Sequence, residues 1–192
     1  MRAFSIRTHA LLALALSAAF LSVAAATVNK HGPAPSPAPI VDATDIDMLQ
    51  RRNLAIPVQG VKVADLRDNF EEGRGKRRHD AIDILAPRGT PVLAVGDGRV
   101  AKLFTSAAGG LTVYQFDRDE RFTYYYAHLD RYAEGLKQGA EVKRGDVIGY
   151  VGTSGNAPKN TPHLHFAIFR LGAEKQWWKG TALNPYPVLA AR

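Results

Sequence analysis

Residues 111–129, LTVYQFDRDERFTYYYAHL, decide the fold. Residues 111–116 alternate in polarity, the charged run 117–120 interrupts them, and residues 122–127 resume with aromatic and branched side chains. Successive side chains of a strand face opposite sides, so an alternating run, a polar tip and a returning run predict a β-hairpin. The same grammar repeats outward from it. Residues 91–95 and 98–104 are short apolar runs split by Gly96-Asp97-Gly98. Residues 142–151 hold two more strand pieces around Arg144-Gly145-Asp146, a tripeptide read as a plain turn rather than an adhesion signal. Residues 163–171 form a strong final strand. Helical signals are faint: residues 129–135, and a short helix over 45–53 with Thr44 as its N-cap. Residues 172–184 read as a loop whose Trp177 and Trp178 pack at the core or its rim. Short strands punctuated by glycine turns predict an all-β domain of the sandwich type.

The amino end reads differently. Arg2 and Arg7 precede a stretch without charges, residues 10–26, that ends in small residues. A basic head, an apolar centre and a small-residue cut site predict a secretory signal over residues 1–26, removed on export. Residues 27–49 follow as a linker, with Pro33, Pro35, Pro37 and Pro39 at alternate positions favouring an extended tether. Residues 50–192 are then the folded domain. No stable membrane span is expected once the signal is gone, because the apolar run is short and rich in alanine. The chain has no cysteine, which excludes disulfides, thiolate ligands and lipid attachment through cysteine. The net charge of +7 suits nucleic acid, anionic lipid or a carboxylate-rich polymer, and charge alone does not choose among them. Export argues against nucleic acid as the partner, and Lys76-Arg77-Arg78 is read as a solvated loop.

Four of the six histidines lie in the expected domain, in three clusters: His79-Asp80-Ala81-Ile82-Asp83, Tyr126-Ala127-His128-Leu129 and His163-Leu164-His165-Phe166. On a strand His163 and His165 share a face, one placed to bind a metal and the other to touch a water on it. Were residues 79–83 extended, His79 and Asp83 would be about 13 Å apart, too far to share one ion. That segment must therefore curl before a strand that starts near Ile82. Two histidines and one aspartate make a three-ligand set with an open position for water, which is the composition of a catalytic zinc site. Two further histidines remain for proton transfer or oxyanion stabilisation.

Three stretches carry a resemblance: RRHDAIDILAPRGTPV (77–92), YYYAHLDRY (124–132) and GTSGNAPKNTPHLHFAI (152–168), the last entered through GDVIGYVGTSG (145–155). In these, and in their order, the chain resembles the lysostaphin-like (LytM-type) zinc metallopeptidases. The resemblance implies one zinc ion bound by His79, Asp83 and His165, with His128 and His163 as catalytic histidines. It implies a compact, mainly antiparallel β-sandwich-like domain, built on a duplicated hybrid motif with few short helices, and a groove between loops for the metal. It further implies a peptide hydrolase acting on the stem or cross-bridge peptides of peptidoglycan, in the periplasm or outside the cell. The alternative it leaves is a non-catalytic domain of this type that binds the wall or activates wall amidases. One departure stands out: Ala81 occupies a position where the family usually has glycine, which would strain the backbone if a positive φ were needed there.

Overall fold

The computed structural model describes residues 43–191 except position 76, so the expected signal and the tether before residue 43 lie outside the described residues. Helix α1 (Ala43–Arg51) is followed by the small hairpin of β1 (Gly73–Arg74) and β2 (Arg77–Arg78). Nine further strands form one sheet: β3 (Ile82–Leu85), β4 (Pro91–Leu93), β5 (Gly98–Ser106), β6 (Gly110–Asp117), β7 (Phe122–Tyr132), β8 (Glu141–Val142), β9 (Val147–Val151), β10 (His163–Leu171) and β11 (Gly180–Leu183). Helix α2 (Pro185–Ala190) closes the described chain, with Asn184 accepting from the Tyr186 N–H as its cap. Every strand pairing is antiparallel. The expected all-β, mainly antiparallel class is what forms.

The sheet runs β11-β10-β7-β6-β5-β8, with β3 also on β10 and β9 bridging β7 to β4. The expected hairpin is β6–β7, and its tip is locked where Asp117 Oδ1 accepts from the Arg121 and Phe122 amides, both at 2.8 Å. Strand β7 changes partner midway. Residues 122–127 pair with β10, whereas Leu129, Arg131 and Tyr132 pair with β9. The change happens at His128, whose φ of 62° is left-handed. A single left-handed residue inserted in a strand bends it and redirects its ladder.

Phe122, Tyr124 and Tyr126 of β7 pack with Leu164, Phe166 and Ile168 of β10 in the main core. Gln115 breaks the apolar alternation of β6 yet is fully buried. Its amide is satisfied: Nε2 donates to Gly96 O (2.7 Å), and Oε1 accepts from the Tyr126 hydroxyl (2.7 Å), which in turn accepts from Val95 N (3.0 Å). Burial of this kind is tolerated because each polar atom has a partner.

Four sequence expectations need correction. The first helix begins at Ala43, so Thr44 stands inside its first turn, and packed structure starts within the stretch assigned to the linker. That helix is held by Leu49 in the core and by Asp45, whose buried carboxylate meets Arg121 (2.9 Å) and Arg170 (2.8 Å). Residues 129–132 are strand rather than helix. The expected loop 172–184 contains β11, which pairs with residues 168–171. Trp177 packs against Tyr114 and Phe104 as a rim residue, while Trp178 is largely exposed. Removing the buried hydroxyl in Tyr126→Phe leaves Gln115 Oε1 and the Val95 N–H unpaired. Urea unfolding should show a loss of about 1–3 kcal/mol with an unchanged slope.

Candidate metal centre and active-site groove

The centre is assembled by strand register. On β10, His165 stands opposite Asp83 of β3, and on its other side opposite Ala127 of β7. Directly opposed residues bring their side chains together on one face. His79 reaches the same point from the loop before β3. The curl it requires is made by Asp80, at φ 55°, a conformation that aspartate adopts more readily than most residues. Ala81 is absent from the positive-φ residues and is fully buried, so alanine fits this place without backbone strain. The Asp80 carboxylate accepts from Arg78 Nε (2.9 Å), and backbone bonds from His79 N to Glu72 O (2.9 Å) and Asp80 N to Phe70 O (3.1 Å) hold the turn.

The three side chains meet closely. His79 Nε2 lies 3.0 Å from Asp83 Oδ1 and 3.1 Å from His165 Nδ1, and His165 Nδ1 lies 3.1 Å from Asp83 Oδ1. His79 Nδ1 donates to Asn69 O (3.0 Å), so in the neutral ring Nε2 carries the lone pair. The Asn69 side chain also accepts from Asp83 N (3.2 Å), which makes one residue the support of two members. The second carboxylate oxygen of Asp83 accepts from Arg74 (2.9 Å). Burial pushes the Asp83 carboxyl up, but contact with the His165 and His79 rings in their protonated form outweighs it and holds the group well below the ordinary carboxylate range. Burial lowers His165, only partly opposed by Asp83; in His79 the Asp83 interaction overcomes burial and raises the imidazole.

Three atoms with lone pairs in a near-equilateral triangle repel one another unless a cation sits among them. A single proton can bridge only one pair at a time. An ion bound at about 2.0–2.1 Å in tetrahedral geometry would place its ligands roughly 3.3 Å apart, close to the spacing found here. The donor set and its spacing therefore fit a metal, and His79, Asp83 and His165 are the group among the described residues able to hold one.

His128 and His163 flank this triangle. Their ring centroids are 5.0 Å apart, and His163 Nε2 lies 3.7 Å from Asp83 Oδ1. His128 Nδ1 donates to Ser154 O (2.9 Å) and His163 Nδ1 to Thr161 O (2.8 Å). A carbonyl only accepts, so both rings are fixed with Nδ1 protonated and Nε2 free. Burial pushes the His128 imidazole down to about 4. The Ser154 hydroxyl accepts from Leu111 N (3.0 Å) and donates to Leu129 O (2.7 Å), tying β6 to the bend of β7. Close packing here explains one glycine: a Cβ on Gly152 would lie 2.7 Å from Asp130 Cα and 2.8 Å from His128 O. All five residues singled out in the sequence line one groove of about 770 Å³, with Tyr125 and Phe169 on one wall and Arg74, Arg77 and Arg78 on the rim. Sequence reasoning missed Asn69, Arg74, Ser154 and Thr161. Three of these act through backbone carbonyls, which leave no trace in residue type.

Comparison with known proteins follows the same outline. The chain is 37% identical over 123 residues to the L-Ala–D-Glu endopeptidase of Bacillus subtilis, a match covering 61% of this chain and 36% of that protein. It is 35% identical over 99 residues to the peptidoglycan DD-endopeptidase ShyC of Vibrio cholerae, covering 52% of this chain and 22% of that one. The chain thus spans about a third or less of the length of these relatives. Among solved structures, the catalytic domain of the antimicrobial peptidase lysostaphin from Staphylococcus simulans superposes with a TM-score of 0.53 at 26% identity, over 75% of this chain and 96% of that one. Residues 77–185, more than half of the sequence and inclusive of all five clustered side chains, match the profile of Peptidase family M23, and the chain belongs to that family.

Proposed function

We propose that the chain is an exported zinc-dependent endopeptidase that hydrolyses peptide bonds in the stem or cross-bridge peptides of bacterial peptidoglycan. The observation that carries this reading is the triangle of His79 Nε2, Asp83 Oδ1 and His165 Nδ1 at the floor of a groove, with two oriented imidazoles beside it. The names of its relatives, an L-Ala–D-Glu endopeptidase and a peptidoglycan DD-endopeptidase, support the substrate class. The signal read at residues 1–26 supports a periplasmic or secreted location. No helix among the described residues is long and apolar enough to cross a membrane. A wall-binding domain without catalysis would have no need of all five residues, which are present.

His79, Asp83 and His165 would hold the zinc ion, which would supply Lewis acidity to an amide carbonyl and to water in the groove. The protein supplies the rest. With Nδ1 committed to a carbonyl, His128 and His163 each present Nε2 to the groove. The depressed His128 imidazole is neutral at pH 7 and ready to accept a proton from the attacking water. The partner imidazole steadies charge on the carbonyl oxygen, and a proton returns to the leaving amine through one of the two. Arg74 holds the outer oxygen of Asp83, fixing which oxygen turns inward.

Mass spectrometry of fragments released from purified sacculi, with and without chelator, tests catalysis, metal need and bond choice together. Release that is unchanged by chelator, or no release at all, would overturn the proposal. His165→Ala should bring bound zinc from about one per chain to nearly none and abolish release. His128→Asn, chosen because asparagine tolerates the left-handed backbone, should retain zinc and lower kcat about 10²–10⁴-fold. Turnover at the parent rate would remove His128 from the mechanism. Asn69→Ala takes away the acceptor for the Asp83 amide and should weaken zinc retention about tenfold in chelator competition.

A further inference from the structure

The β1–β2 hairpin at the rim of the groove carries three arginines, and they are not equivalent. Arg74 is engaged by Glu72 (3.3 Å) and Asp83 (2.9 Å). Arg78 is engaged by Glu71 (3.0 Å) and Asp80 (2.9 Å) and lies over the Phe70 ring. Arg77 lines the same groove, is exposed, and its side chain makes no ion pair or hydrogen bond among the described residues. Its register partner is Arg74, so two like charges stand directly opposite across a two-stranded ladder. Like charges so opposed are destabilising, and of the two only Arg74 has carboxylates, Glu72 and Asp83, to offset its charge. Among the described residues, the carboxylates lining the groove are Asp80 and Asp83, already paired to Arg78 and to Arg74 with the histidines. Among the described residues of the groove that holds the metal centre, Arg77 is thus the guanidinium left without a carboxylate.

We infer that Arg77 is a specificity-determining residue that binds a free carboxylate of the substrate peptide, making this groove selective for acidic peptides over neutral ones. This rests on the peptidase reading and names the substrate class for that site. A guanidinium presents two parallel N–H donors that match a carboxylate, and neither an amide nor a glycyl link offers that acceptor charge. A peptide containing D-glutamate or another dicarboxylic residue next to the scissile bond meets the requirement. A polyglycine bridge does not. The open rim keeps the expected effect moderate, about tenfold in affinity.

The test is binding in the zinc-loaded His128→Asn background, where turnover is slowed enough to read affinity before the peptide is cut. The probes are an alanyl-D-glutamyl stem peptide with free carboxyl groups and the same peptide as its carboxamide. The parent background should bind the acid about tenfold more tightly than the amide. Adding Arg77→Gln should erase that preference by weakening only the acid, and Arg77→Lys should restore part of it. Lys137→Gln, which removes an exposed positive charge outside the groove, should leave the preference intact. Equal binding of acid and amide by the parent background, or a preference that survives Arg77→Gln, overturns the inference. Wild-type protein that releases nothing from sacculi would instead overturn the hydrolase reading, while the binding preference is scored separately.

Discussion

The register between β3 and β10 places Asp83 directly across from His165, and the arrangement of the groove follows from that single alignment. A slip by one residue would turn His163 and His165 into the core and bring Leu164 and Phe166 to the groove. The slip is prevented by the core itself. Leu164, Phe166 and Ile168 are fully buried on the far side of β10, so the packing that stabilises the sheet also fixes the metal-facing set. Stability and site geometry are consequences of the same strand.

Two left-handed residues complete what register begins. Asp80 folds His79 back toward Asp83, and His128 lets β7 leave β10 for β9 while its ring stays at the groove. Strained backbone of this sort costs on the order of 1–3 kcal/mol per site and persists where surrounding structure over-determines it. Here the surrounding bonds are visible: Glu72 and Phe70 carbonyls hold the first turn, and Ser154 together with Gly109 O holds the second.

Much of this was legible beforehand, for identifiable reasons. The β6–β7 hairpin declared itself because its tip is charged and its flanks are apolar. The extension of β7 past residue 129 was hidden, since residues 126–129 are buried without alternation and the bend at His128 breaks the two-residue period. Strand β11 was hidden for the opposite cause: four small or weakly patterned residues that become a strand only by pairing with β10. The five clustered His and Asp residues could be found by type and spacing. The curl between His79 and Asp83 was required by distance, but its location at Asp80 rather than Ala81 depended on φ angles that residue types did not specify. Asn69 was invisible because its main contribution to His79 is a peptide oxygen.

The clamp on helix α1 has a bearing on how the domain is presented. Asp45 grips Arg170, five residues along β10 from His165, and Arg121 at the turn entering β7. Five residues of strand span about 16 Å. Helix α1 is therefore held at the end of β10 remote from the histidines. Clamp and groove thus occupy opposite ends of one strand, so a change that loosens helix α1 and a change that alters the histidine-bearing face are separable.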